Sequence, residues 1–261
     1  KIIFSKYMAA LSSSISSLLT ENLNKSFFSN SGAESVEAAI KICFKSYNGK
    51  KKNILFSDKS YHGKLIGSGS VSGSYRYNNQ FPSMENCSSF KFNDVNDLEE
   101  KVKKFSSEGG VYCIIVEPFS ASLLKSCSEQ FINKLFELKK KFDFQIVFDE
   151  VFTGFYKSKK MFYFQNFNNI EPDVICLSKT FGGGKSSISC LVVRNELYNK
   201  AYGKLSETFL HTTTYNGFGE ESITALEALN ILSEDSFRKK VEKLSDLLEE
   251  KLSEIKKKHK N

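Results

Sequence analysis

Two charged residues stand where short apolar runs end. Asp149 follows Gln-Ile-Val-Phe (145–148), and Lys179 follows Asp-Val-Ile-Cys-Leu-Ser (173–178). Runs this short, rich in β-branched residues and bounded by turn residues, read as strands buried on both faces. Side chains just past the carboxyl ends of parallel strands point into the crevice where open α/β sheets take ligands. A lysine there can condense with an aldehyde, and an acidic residue there can hold a pyridine nitrogen protonated. Together they suit one cofactor, pyridoxal phosphate (PLP). Taken singly, each has a plainer reading, a solvated lysine and a helix-capping aspartate. The weight comes from what else lies along the chain.

The elements that must position this pair follow one another in a regular alternation. Strand-like runs cover 53–57, 111–116 and 187–193, besides the two already described. Helical spacing covers 35–47, with Val36, Ala39, Ile40, Cys43 and Phe44 on one face, and also 94–105, 129–142, about 220–232, and the Lys/Glu-rich stretch after Asp235. The alternation predicts an α/β fold: a mostly parallel sheet with helices on both faces. Residues 1–24 read as a plain surface helix with Ile15, Leu18, Leu19, Asn22 and Leu23 on one side. Residues 67–90, rich in Gly, Ser and Asn, read as one long loop.

Further candidates sit at the ends of these elements. Ser31-Gly32-Ala33 falls at a predicted helix start, where free amides and the helix dipole attract an anion; capping by Ser31 alone is the simpler alternative. Tyr61, next to His62-Gly63, can lie over a flat heteroaromatic ring. His62 is either a ligand-facing group or a hydrogen-bonded structural residue. Pro118 ends the run 111–116 and leaves Glu117 at its carboxyl end. Gly182-Gly183-Gly184 is either a flexible turn or a place where backbone passes close to a cofactor. It is not a P-loop: the glycine spacing is wrong, and Lys185-Ser186 is a false match. The threonines of His211-Thr212-Thr213-Thr214-Tyr215-Asn216-Gly217 offer donors to a phosphate, or form a β-rich turn.

Bulk properties narrow the class. With 261 residues the chain has room for one large α/β domain or two small ones. Its net charge of +7 is carried largely by Lys50–Lys52, Lys139–Lys141 and the tail after Lys251. These read as solvated faces and not as an aromatic-laced nucleic-acid stripe. No two of the six cysteines form a Cys-x-x-Cys pair, which favours a reducing, cytoplasmic setting over a disulfide framework. The three histidines lack metal-site spacing, so no metal is expected. No apolar run approaches membrane-spanning length.

In order and separation, the pieces resemble the class III aminotransferases, PLP enzymes of fold type I that include ornithine and acetylornithine aminotransferases. The stretches that carry the resemblance are Phe-Phe-Ser-Asn-Ser-Gly-Ala-Glu-Ser-Val-Glu-Ala-Ala-Ile-Lys (27–41), Tyr-His-Gly (61–63), Val-Glu-Pro (116–118), Phe-Asp-Glu-Val-Phe-Thr-Gly-Phe (148–155), Leu-Ser-Lys-Thr-Phe-Gly-Gly-Gly (177–184) and His-Thr-Thr-Thr-Tyr-Asn-Gly (211–217). The resemblance implies that Lys179 forms the internal aldimine and shuttles the proton, and that Asp149 pairs with the pyridine nitrogen. Val151 and Tyr61 would flank the ring, with His62 beside it. Ser31, Gly32 and Ala33 would hold the phosphate, and Glu117 would lie toward the substrate. Thr214 would reach the phosphate of a second subunit in a homodimer. The expected activity is transfer of an amino group from a small-molecule amino donor to a keto acid or aldehyde. The alternatives are another PLP reaction on the same scaffold (aminomutase, decarboxylase or lyase) or a degenerate dimerisation domain.

The departures from the family pattern bear on the substrate. Phe152 stands where many members have Gln, Tyr156-Lys157-Ser158 replaces a Gly-Arg-Thr run, and Lys64 stands where acetylornithine-type enzymes carry Arg. Lysine does not fork a carboxylate as arginine does. The resemblance also implies that residues 1–261 are the PLP-binding large domain, a fragment without the N-terminal segment and small C-terminal domain of the family.

Overall fold

The computed structural model describes residues 5–73, 81–216 and 219–259. Its centre is a seven-stranded sheet. In chain order the strands are β1 (Leu23–Ser29), β2 (Asn53–Ser57), β3 (Cys87–Phe90), β4 (Val111–Val116), β7 (Gln145–Asp149), β8 (Val174–Leu177) and β9 (Ser189–Arg194), with a small hairpin of β5 (Phe119–Ser120) and β6 (Lys125–Ser126) between β4 and β7. The sheet order is β1-β9-β8-β7-β4-β2-β3. From β3 to β8 all pairings are parallel; β9 runs antiparallel to both β8 and β1. Every residue of β2, β4, β7 and β8 is buried, as expected of strands covered on both faces.

Period-two alternation sends neighbouring residues to opposite cores. Along β4, Ile114 and Val116 join one cluster, while Cys113 and Ile115 join the other. The first cluster lies under α1 (Lys6–Ser17), α4 (Val95–Ser107), α5 (Glu129–Phe142) and α7 (Gly219–Ser233); the second lies under α2 (Gly32–Ser46) and α6 (Asn195–Tyr202). Short helix α3 (Ile66–Ser70) and long α8 (Asp235–Lys258) complete the set. Helix starts follow local chemistry: Asp94 accepts hydrogen bonds from the amides of Asn96 and Asp97, and Ser128 accepts one from Phe131. Asp143 ends α5 in the left-handed conformation (φ 52°).

The mixed α/β architecture agrees with the expectation, and three local readings are corrected. Residues 6–17 form the expected surface helix, whose inner face buries Leu11 and Ile15 where α1 packs against α7. Leu23 belongs not to that helix but to β1, whose mixed sequence pairs with β9. Residues 67–90 are not one loop, since they contain most of α3 and all of β3; residues 74–80 lie outside the described residues. Lys139 is not simply solvated, because its ammonium meets the buried Asp173 carboxylate at 2.5 Å. All six cysteines are buried and free. Among the described residues no helix is long and apolar enough to cross a membrane.

Candidate active site

Asp149 is the last residue of β7 and pairs in register with Cys176 of the parallel neighbour β8. Three residues beyond Cys176, Lys179 opens a single 3-10 turn, Lys179–Gly182. The pairing brings both charged residues to one end of the sheet, where they line a cleft of about 390 Å³. The same cleft receives Ser31, Gly32 and Ala33 from the start of α2, the Tyr61–Leu65 turn after β2, Glu117 after β4, Ala121, and Val151, Phe152 and Ser178.

Each wall has a local cause. Ser31 caps α2, its hydroxyl accepting the Glu34 amide, while the Glu34 carboxylate accepts the Asn30 amide at 2.9 Å. The capping alternative is therefore real, and the amides of Gly32 and Ala33 still begin the helix at the cleft. Gly32 is required sterically: a Cβ there would stand 2.7 Å from Val151 Cγ1. Gly63 has φ +126°, and a Cβ there would meet Ala33 Cβ at 2.6 Å. These two glycines let three loops close on one another.

Asp149 is held on both oxygens. Oδ1 accepts the Val151 amide at 3.0 Å, and Oδ2 lies 2.7 Å from His62 Nδ1. A carboxylate has no proton to give, so Nδ1 carries it. The His62 backbone amide donates in turn to Ser72 Oγ at 2.7 Å. His62 Nε2 is buried and has no hydrogen-bond partner among the described residues. His62 is thus the buried partner of Asp149, as well as part of the cleft wall.

Glu117 accepts the Tyr61 amide at 2.9 Å and the Ala121 amide at 3.2 Å. Burial raises its carboxyl above the ordinary range; the nearby His62 opposes that shift and Asp149 adds to it. Lys179 sits in the left-handed region (φ 48°), an uncommon place for a residue with a Cβ, and its Nζ lies 5.5 Å from the centre of the Phe152 ring.

Two sequence candidates fall elsewhere. The Gly182–Gly184 run does not line the cleft; a Cβ on Gly183 would meet Ala228 of α7 at 3.2 Å, so this turn packs under that helix. Thr214 is exposed and does not line the cleft; Gly217 of its motif lies outside the described residues. His211 of that motif stands 2.9 Å from Lys41 Nζ, and burial, ahead of the lysine charge, lowers its pKa to about 4.

One important residue escaped the sequence reading. Glu150 is fully buried, and its carboxylate accepts the Thr153 hydroxyl (2.8 Å) and the amides of Tyr163 (2.8 Å) and Phe164 (2.7 Å). A second acid directly after Asp149, pointing to the opposite face of a buried strand, was the available signal.

The family model described as aminotransferase class-III matches residues 1–261. This chain belongs to the class-III aminotransferase family. Solved structures share the fold. A transaminase from the marine bacterium Virgibacillus superposes with a TM-score of 0.91 at 24% identity, over 98% of this chain and 60% of that one. The taurine:2-oxoglutarate aminotransferase from Bifidobacterium kashiwanohense, solved with PLP and glutamate, gives 0.89 at 21% identity, over 98% and 61%. The adenosylmethionine-8-amino-7-oxononanoate aminotransferase from Methanocaldococcus jannaschii gives 0.88 at 25% identity, over 97% and 61%. The class-III chain described here thus spans about 60% of the length of these relatives.

Proposed function

We propose that this chain is the PLP-binding large domain of an aminotransferase that moves an amino group between a small-molecule donor and a keto acid or aldehyde. The observation that carries the reading is the convergence of Asp149 and Lys179, from adjacent parallel strands, on a cleft that also holds the start of α2. The residues suit the cofactor: a carboxylate fixed by two donors, one of them a buried imidazole, an amine in the same cleft, and a helix start that comes close because Gly32 has no Cβ. When bound, PLP supplies an aldehyde for condensation with amines and a pyridinium ring that withdraws electrons.

The chain's own residues then divide the work. Asp149 holds the ring nitrogen protonated, its position set by His62 and the Val151 amide. The amides of Gly32 and Ala33, with Ser31, bind the phosphate at the α2 terminus. Tyr61 and Val151, both in the cleft wall, would flank the ring. Lys179 would be the amine that holds the cofactor aldehyde and would move the proton at the reacting carbon. Glu117 faces the substrate. The assembly is a homodimer in which Thr214 reaches the partner's phosphate, and the setting is the cytoplasm.

An absorbance titration with PLP tests this. A visible band that borohydride abolishes, that Lys179→Ala lacks, and that an amino donor bleaches until a keto acid restores it is the expected result. A folded dimer with no such band would overturn the reading.

A further inference from the structure

Phe152 lines the same cleft as Lys179, with its ring centre 5.5 Å from Nζ. That ring is braced. Phe119 stacks on it at 6.4 Å with an interplanar angle of 22°, and Tyr163 packs on Phe119 at 5.4 Å. Tyr163 is pinned from behind, since its amide and that of Phe164 both end on the buried Glu150 carboxylate. One carboxylate therefore ties the 163–164 backbone to the end of β7 and fixes the aromatic wall.

The wall has a sign. The face of an aromatic ring is electron-rich, so it attracts cations and apolar groups and disfavours carboxylates. Among the described residues lining the cleft the charged ones are Lys64, Glu117, Asp149 and Lys179; no arginine is there to fork a carboxylate. We propose that Phe152 is the specificity-determining residue for the amino donor, favouring a reacting carbon that bears a flat apolar group over one that bears a carboxylate, and that Glu150 is a positioning residue holding this ring. The proposal rests on Lys179 being the reacting amine.

The pair 1-phenylethylamine and alanine tests it, because they differ only in phenyl against carboxylate on the reacting carbon. Wild type should show a kcat/KM ratio favouring 1-phenylethylamine, and Phe152→Gln should lower that ratio about tenfold, the size of one aromatic contact plus one rejected anion. Glu150→Gln, which puts an N–H against backbone N–H donors, should lower it about threefold. It should add nothing further in a Phe152→Leu background, whereas a merely structural role would be additive. A wild-type preference for alanine, or an unchanged ratio in Phe152→Gln, would overturn the proposal.

A readout independent of turnover is saturation-transfer NMR with acetophenone and pyruvate. Acetophenone should bind the wild-type chain better than pyruvate and lose its aryl signal in Phe152→Gln. If neither amine reacts but this pattern holds, the wall stands and the PLP titration alone decides the aminotransferase reading. If pyruvate binds better, or the substitution changes nothing, the wall is refuted.

Discussion

His62 Nδ1 lies 2.7 Å from Asp149 Oδ2, with both side chains withdrawn from solvent. Replacing the imidazole by an isosteric ring that cannot donate leaves a buried carboxylate short of a partner. His62→Phe should cost about 3 kcal/mol, the range for breaking a buried pair from one side. Urea unfolding would measure it. A loss below half a kilocalorie would mean that water replaces the histidine freely.

Gly32 and Val151 are packed so closely that a methyl group does not fit between them. Gly32→Ala should destabilise by about 1–3 kcal/mol through overpacking. Trimming the neighbour should relieve it, so Gly32→Ala with Val151→Ala should be more stable than the sum of the single changes implies. Thermal unfolding of the three variants checks this; strict additivity would refute the contact.

Lys179 carries its side chain from a left-handed backbone (φ 48°), a conformation glycine adopts without cost. Lys179→Gly should therefore be about 1 kcal/mol more stable than Lys179→Ala, although both remove the amine. Equal midpoints in denaturant would show that the conformation costs nothing here.

Burial, partly offset by its hydrogen bonds, raises the Glu150 carboxyl from its ordinary 4.5 to about 7. The unfolded chain releases this proton near 4.5 and the folded chain near 7. Between those values the unfolded state binds fewer protons, so stability falls as pH rises, by at most about 1.4 kcal/mol per pH unit. The penalty is absent below 4.5 and constant above about 7. The stability of wild type relative to Glu150→Gln should fall from pH 5 to pH 7 and then level off. Parallel profiles for the two proteins would refute the assignment.

Much of this was written locally. The span 111–116 is β4 and 129–142 is α5, as their patterns predict, because a strand buried on both faces and an amphipathic helix each announce themselves within a few residues. The placement of Asp149, Lys179 and Glu117 at carboxyl ends was legible for the same reason, whereas β1, β3 and the sheet order were not. What covers α1 was not legible: Leu11 and Ile15 face α7, some 200 residues on, and their pattern does not name that partner.

What the sequence by itself determined was which residues end buried strands and which stretches alternate, since side-chain periodicity follows from backbone geometry alone. What only the tertiary structure decided was who meets whom. His62 finds Asp149 across 87 positions, Glu150 turns away from the cleft to anchor Tyr163 and Phe164, and the Gly182–Gly184 run serves α7 and not the site. Periodicity specifies the face a residue presents; hydrogen-bond partners and close contacts depend on sheet order and loop closure, which no local pattern encodes.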